Sequence, residues 1–162
     1  MPAYTRRRAL ALLMIGAATS ACATRDIADA PLEPPLYPNE TPELRRLINN
    51  YADLYEIPRP LVHRLAIRES THRPHAVNRP YYGLLQILPA TARSMGFRGK
   101  PNDLLDPETN LKYAGRYLRG AWLLADGSHD TAVKHYSRGY YYEAKRRGML
   151  VETGLVKQTV IE

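Results

Sequence analysis

The 162-residue sequence contains a single cysteine, so an intramolecular disulfide is excluded and the cysteine count leaves the redox compartment open. The apolar run from Ala9 to Ala18 is too short to cross a bilayer. No segment alternates apolar and polar residues in the manner of a half-buried strand. A basic stripe with a recognisable nucleic-acid-binding motif is also lacking, so we expect no nucleic acid partner. A protein of mainly α class remains.

The N-terminal residues have the features of a secretory signal. Arg6, Arg7 and Arg8 precede the apolar run, and small residues then lead to Cys22, a pattern that predicts a signal peptide over residues 1–21. Cys22 is open to three interpretations: a site of lipid attachment after cleavage, an ordinary small residue, or a free thiol. The small residues before it resemble a bacterial lipoprotein box. We therefore expect lipidation at Cys22 and a periplasmic lipoprotein anchored to the outer membrane.

The remaining chain divides by composition. Prolines at 31, 34, 35 and 38 predict a semi-extended tether over residues 22–40. A helical domain follows over residues 41–148, with a loosely ordered tail over 149–162. The formal charge of +7 falls to +4 without the three leader arginines. That excess suits an anionic polymer or a membrane surface, although a solvated surface explains most of these charges.

Capping residues and prolines predict where the helices begin. The starts lie at Thr41-Pro42, Pro58-Arg59-Pro60, Pro89, Asp106-Pro107, Asp130 and Tyr140. The helix after Asp106 is predicted to be long and to end at Gly127, and the one capped by Asp130 to run through Tyr136. Between the second and third helices, prolines at 74 and 80 predict an irregular loop.

Glu69 has the most informative position. At about 100° per residue from Leu61, Leu65 falls near 40°, Val62 near 100° and Glu69 near 80°, so a carboxylate lies within the apolar arc. Burial raises the pKa of a carboxyl group, as a general acid requires. The ordinary alternatives are a residue at the helix end that reaches solvent, or one half of an ion pair with a neighbouring arginine.

Four segments then follow in a recognisable order. They are Glu69-Ser70, Gly83-Leu84-Leu85-Gln86 with its Pro89-Ala90-Thr91-Ala92 continuation, Asn110 to Leu118, and His135-Tyr136-Ser137-Arg138-Gly139. Together, over about residues 43–147, they resemble the soluble-lytic-transglycosylase type catalytic domain. That resemblance implies a mainly α, lysozyme-like fold of the goose-type lysozyme and transglycosylase kind, with little or no β structure.

The resemblance also implies a reaction. Members cleave the β-1,4 bond between N-acetylmuramic acid and N-acetylglucosamine in peptidoglycan without water, leaving a 1,6-anhydro end. One glutamate acts as acid and then base, and Glu69 matches it. No organic cofactor or metal is implied, and we expect a monomer that acts on glycan strands. A hydrolytic muramidase on the same fold and a non-catalytic glycan-binding envelope lipoprotein remain the alternatives.

Residues around Glu69 are matched one by one. Gln86 matches a glutamine that lines the sugar groove, and Tyr136 matches a tyrosine whose hydroxyl lies near the glutamate, where it would orient the carboxylate. Ser70 follows Glu69 as in the family and is expected to bond locally. Asn78 stands near a position where serine is common. Leu88 stands where methionine is usual, a nearly volume-conserving change.

Two further groups of side chains have candidate roles. We expect one or two of the tyrosines at 81, 82, 140, 141 and 142 to contact sugar. The His72-x-x-His75 pair lacks the partners that a metal site needs, so no metal site is predicted there. His63 and His135 are interpreted as surface or hydrogen-bonded core residues.

Overall fold

The computed structural model describes residues 34–156. This part of the chain is mainly helical, as predicted. The seven α-helices found in it are α1 (Pro42–Leu54), α2 (Arg59–Ser70), α3 (Pro89–Ser94), α4 (Pro107–Asn110), α5 (Arg116–Leu123), α6 (His129–Arg138) and α7 (Tyr141–Arg146). A 3₁₀ helix spans Pro101–Leu105 and a π-helical turn spans Leu111–Gly115. Among the described helices, none is long and apolar enough to span a membrane. The predicted signal peptide and Cys22 lie outside the described residues.

Side-chain caps mark the starts of three of the seven described α-helices. Thr41 Oγ1 accepts a hydrogen bond from the Leu44 amide at 3.1 Å, and Asp106 Oδ2 accepts one from the Thr109 amide at 2.7 Å. Both predicted caps are thereby confirmed, because each side chain satisfies an amide that has no partner within the helix. The predicted cap at Asp130 is wrong. Ser128 caps α6 instead, and Asp130 lies in its first turn.

The predicted long helix is continuous but irregular. Helix α4, the π-helical turn and α5 follow one another without a break, and α5 ends at Leu123 rather than Gly127. A π-helical turn alters the local hydrogen-bond register. Here the Lys112 carbonyl accepts a hydrogen bond of 2.6 Å from the Tyr55 hydroxyl. A Cβ on Gly115 would lie 3.0 Å from the Tyr55 ring, so α1 packs closely against this turn.

The hydrophobic core holds the helix that carries Glu69. Leu61 and Leu65 of α2 are fully buried, as are Leu111 and Leu118 of the long helix. Burial of each such side chain stabilises the fold by roughly 1.5–3 kcal/mol relative to exposure. The apolar face predicted for α2 is therefore the face that fixes the orientation of Glu69.

A small hairpin interrupts the loop that was predicted to be irregular. Strands β1 (Val77–Asn78) and β2 (Tyr81–Tyr82) pair antiparallel, with Val77 opposite Tyr82 and Asn78 opposite Tyr81. Strands of two residues are too short to produce a visible alternation in the sequence. Asn78 and Tyr81 consequently occupy defined positions.

Both ends of the described chain pack more closely than predicted. The compact unit begins at Pro34, so the last seven residues assigned to the tether, 34–40, belong to the domain. Arg45 holds them through hydrogen bonds to the Pro34 carbonyl and, at 2.8 Å, to the Pro35 carbonyl. At the other end, Met149, Leu150 and Leu155 pack against the core. The loosely ordered tail therefore does not begin at Met149, and residues 157–162 lie outside the described chain.

Candidate active site

Glu69 lies in the last turn of α2, at the edge of a cavity of about 440 Å³. Its side chain keeps 22% of its accessible surface. The carboxyl group is thus half-buried yet open to a ligand. Among the described residues that line the cavity, Glu69 is the only carboxylic acid.

The surroundings of Glu69 favour its protonated form. Burial raises the pKa of the carboxyl group, and the positive charge of Arg68 partly opposes that rise. The Arg68 Nε atom lies 3.4 Å from Glu69 Oε1. The negative end of the α2 dipole also disfavours an anion in the last helical turn. Two interpretations from the sequence therefore apply together. Glu69 is a half-buried carboxyl group, and it also forms an ion pair with Arg68.

A tight turn over residues 83–86 forms one wall of the cavity. Gly83 has a φ of +79°, and a Cβ there would lie 2.1 Å from the Leu104 carbonyl oxygen and 2.2 Å from Asn110 Nδ2. Asn110 is fully buried. Its Oδ1 accepts from the Leu85 amide at 2.9 Å, and its Nδ2 donates to the Tyr82 and Leu104 carbonyls at 3.0 and 2.9 Å. Asn110 thus determines the conformation of this turn.

Tyr136 secures the other side of the same turn. Its hydroxyl donates a 2.8 Å hydrogen bond to the Leu85 carbonyl. A phenol has one proton to donate, so in this arrangement it does not donate to Glu69. The role predicted for Tyr136, direct orientation of the carboxylate, therefore differs from what is found. Burial and then the charge of Glu69 raise the pKa of Tyr136 well above its ordinary value, which keeps the hydroxyl protonated.

Gln86 ends the turn, at a φ of +46°. Its Nε2 donates to the Gly83 carbonyl at 2.7 Å and to the Ala76 carbonyl at 3.0 Å. Its Oε1 is buried and has no hydrogen-bond partner among the described residues. Gln86 lines the cavity with Glu69, and its contact with sugar stays a prediction.

The other predicted residues divide between the cavity and the interior. Asn78, Leu88 and the exposed Tyr81 line the cavity. Ser70 does not. Its buried hydroxyl donates to the Ala66 carbonyl at 3.3 Å and accepts from the Arg73 amide at 3.2 Å, so Ser70 bonds locally and is not a substrate-binding residue of this cavity.

Of the five tyrosines considered for sugar contact, Tyr81 lines the Glu69 cavity and the other four do not. Tyr140 is buried and donates to the Tyr117 carbonyl at 2.9 Å. Tyr141 and Tyr142 are exposed and contact each other edge to face. Tyr117 was missed, although it lines the cavity and packs against the Tyr136 ring at 5.3 Å between centroids. Its only signal was its place in the segment from Asn110 to Leu118, and many core tyrosines lie in helices in the same way.

A second cavity of about 760 Å³ lies next to the first. Glu69, Asn78 and Gln86 line both cavities, and we call the two together the groove. His72 and His75 line only the second. No carboxylic acid other than Glu69 lines it among the described residues.

A buried polar cluster lies behind this second cavity. His63 Nδ1 is 3.2 Å from His72 Nε2 and 3.4 Å from Glu40 Oε1, and His63 Nε2 is 3.1 Å from Asn49 Oδ1. Burial lowers the pKa of both histidines, while the charge of Glu40 acts in the opposite direction. Burial alone would raise the pKa of Glu40, but hydrogen bonds from Arg45 and the Tyr37 amide bring it below the ordinary value.

The same cluster has the spacing of a metal site. Ligand atoms of Glu40, His63 and His72 lie within 4.8 Å of one another. However, Glu40 already receives two hydrogen bonds from the Arg45 guanidinium, at 2.6 and 3.1 Å, so its charge is neutralised. The Tyr37 ring stacks on the His72 ring, with 5.2 Å between the ring centroids. We therefore interpret the cluster as a clamp on residues 34–40, and the absence of a metal site stays a prediction.

Comparison with known proteins gives one family match. The family model described as "Transglycosylase SLT domain" matches residues 46–147 of the chain. These residues include α2, the turn over residues 83–86, Asn110 and Tyr136. No curated protein and no solved structure matches the chain.

Proposed function

The chain belongs to the transglycosylase SLT domain family, and from that membership we propose that it is a peptidoglycan lytic transglycosylase with Glu69 as its single acid and base. The observation that carries the proposal is that Glu69 is the only carboxyl group lining the groove among residues 34–156. Hydrolytic glycosidases generally place two carboxyl groups about 5–5.5 Å apart for retention or 6.5–9.5 Å for inversion. A reaction whose nucleophile belongs to the substrate needs only one.

In the proposed reaction, protonated Glu69 donates its proton to the glycosidic oxygen as the bond between C1 and that oxygen breaks. The 6-hydroxyl oxygen of the muramic acid then bonds to C1. The Glu69 carboxylate takes the proton that this hydroxyl loses, so the enzyme returns to its starting state and no water is consumed. The raised pKa of Glu69 favours the form that begins this cycle.

The surrounding residues bind and position the glycan in this proposal. Asn78, Leu88 and Gln86, which line the cavity, contact the sugar. Tyr136 acts through the Leu85 carbonyl rather than on Glu69. Tyr81 and Tyr117 provide ring surface on the cavity wall.

The remaining predictions form part of the same proposal. Since the substrate lies outside the cytoplasm, we propose export through the signal at residues 1–21, acylation of Cys22, anchorage at the outer membrane and action as a monomer. Intact-mass analysis of the mature protein tests the acylation. A mass without a lipid, or with residues 1–21 retained, contradicts it.

Product analysis tests the reaction. Purified peptidoglycan is digested, and the muropeptides are identified by mass spectrometry. Products that end in anhydro-muramic acid, one water lighter than the reducing form, are expected throughout. Reducing ends throughout would identify a hydrolytic muramidase instead.

Substitution of the acid tests its assignment. Glu69→Gln is expected to abolish cleavage while glycan binding persists, because a carboxamide is not acidic enough to transfer a proton. Glu152→Gln, at an exposed glutamate outside both cavities, is the matched control and retains activity. Cleavage unchanged in Glu69→Gln would refute the assignment, and absence of cleavage in the wild-type chain would favour the glycan-binding lipoprotein.

A further inference from the structure

Four basic side chains surround a small cavity beside the groove. This cavity, of about 260 Å³, is lined by Arg64 and Arg68 of α2 and by Lys134 and Arg138 of α6. Asp130 is the one acid that lines it among the described residues. We call it the cationic cleft. All four basic residues are exposed to solvent.

The four basic residues of the cationic cleft form two like-charged pairs at helical spacing. Arg64 and Arg68 are four residues apart on α2, and Lys134 and Arg138 are four residues apart on α6. Like charges at this spacing repel each other and destabilise a helix. Arg68 and Arg138 also lie in the last turns of α2 and α6, where the helix dipole favours a cation. The repulsion within each pair remains, and an anion bound between the helices would relieve it.

The available acids leave part of this charge uncompensated. Asp130 forms an ion pair with Arg64 and thereby joins α6 to α2. Arg68 lies near Glu69, which the proposed reaction requires in its protonated form at the start. Among the described residues, no ion-pair partner is found for Lys134 or Arg138. The cleft thus offers two free cations and a third that is partly free.

The cationic cleft borders the groove. Arg68, Ser137 and Arg138 line both the cleft and the cavity that contains Glu69. A substituent on a sugar bound beside Glu69 would therefore lie next to the cleft. Neutral sugar rings would gain little there, because the lining charges call for an anion.

We propose that the cationic cleft binds the carboxylates of the peptide carried on the lactyl group of the muramic acid. This inference rests on the proposed function, since it assumes a glycan in the groove. The peptide is attached to the sugar whose C1 reacts, and its acidic residues supply the anion that the cleft lacks. Stem-peptide carboxylates would accordingly strengthen binding and favour peptide-bearing strands over bare ones.

The test compares two substrates that differ only in charge. Soluble peptidoglycan strands with free stem carboxylates are compared with the same strands after their carboxylates are converted to amides. Binding is measured by calorimetry with the full chain carrying Glu69→Gln, and kcat/KM is measured with the wild-type chain. We expect amidated strands to bind roughly two- to fivefold more weakly for each ion pair lost, and added salt to narrow the difference.

Variants assign the effect to the cleft. The preference for free carboxylates is the ratio of kcat/KM on free strands to kcat/KM on amidated strands. Lys134→Gln is expected to bring this ratio towards unity, mainly through KM. Lys145→Gln, at an exposed lysine of α7 outside the three cavities, is the matched control and keeps the preference. A general loss of folding would lower kcat on both strands alike rather than change their ratio.

The outcomes separate the two proposals. Equal affinity and equal kcat/KM for both strands would overturn the role of the cleft, while cleavage itself would still support the reaction. Equal binding of the strands together with displacement by inorganic phosphate would overturn it in favour of a phosphate ligand. If the wild-type chain cleaves neither strand, the proposed reaction fails, and the calorimetric comparison still decides whether the cleft binds carboxylates.

Discussion

Replacement of Asn110 by leucine tests whether this one side chain holds the turn over residues 83–86. Leucine has nearly the same size but forms no hydrogen bonds. The Tyr82 carbonyl would keep the Ile87 amide as a donor at 3.1 Å. The Leu85 amide and the Leu104 carbonyl would each lose the Asn110 partner, and neither has a second hydrogen-bond partner among the described residues.

The size of the expected loss of stability follows from the Leu85 amide and the Leu104 carbonyl. An unsatisfied buried amide or carbonyl costs about 1–3 kcal/mol, so Asn110→Leu is expected to lower the free energy of unfolding by about 4 kcal/mol. A domain of ordinary stability, about 5–15 kcal/mol, survives this loss. Cleavage is expected to fall further than the folded fraction, because Gln86 is displaced with the turn.

Urea unfolding followed by circular dichroism gives the change in stability, and muropeptide release gives the activity of the folded variant. Asn50→Ala, at an exposed asparagine of α1, is the control and should change the free energy of unfolding by less than about 1 kcal/mol. If Asn110→Leu also changes the free energy of unfolding by less than about 1 kcal/mol, the reasoning from unsatisfied groups is refuted.

Three further substitutions have expected outcomes. Arg68→Gln removes the cation that lowers the pKa of Glu69, so the alkaline limb of the pH–rate profile, where the acid loses its proton, should move to higher pH; an unmoved limb would contradict this. His72→Phe keeps a ring against Tyr37 but removes a group whose pKa is lowered by burial. The wild-type chain should lose stability as pH falls below about 6.5, where the unfolded histidine takes up a proton, and the variant should lose less in urea titrations at each pH. An equal loss of stability with falling pH in the wild-type chain and in His72→Phe would refute this role of His72. Gly83→Ala should destabilise the fold by roughly 3 kcal/mol or more in thermal unfolding, because its Cβ meets a backbone carbonyl at 2.1 Å. Gly148→Ala, with a φ of +69° but no atom within 4 Å of the added Cβ, should cost about 1 kcal/mol, and equal losses would refute the steric argument.

Features that depend on neighbouring residues were predictable. Thr41, Asp106 and the prolines after them act within one helical turn, so the starts of α1 and α4 could be predicted from sequence alone. The same applies to the orientation of Glu69, which follows from the apolar period of α2. Even here competition between caps was decisive, since Ser128 rather than Asp130 supplies the cap of α6.

Features that depend on distant partners were not predictable. The Tyr136 hydroxyl bonds to a carbonyl 51 residues away, and nothing in its local pattern distinguishes that partner from Glu69. The packing of residues 34–40 depends on Arg45 and on a histidine pair that lies beyond α1. Composition identified a proline-rich segment but not the surface that holds its last residues.

The turn over residues 83–86 links the assembly of the groove to the order in which the chain folds. The hydrogen bonds that hold Leu85 span 25 and 51 residues, so neither can close before α4 and α6 are in place. A nascent chain that ends before Tyr136 carries Glu69 but lacks a finished groove. In the native protein, the Leu85 amide should exchange its hydrogen only when Asn110 moves away. Its exchange rate therefore measures how often the groove opens.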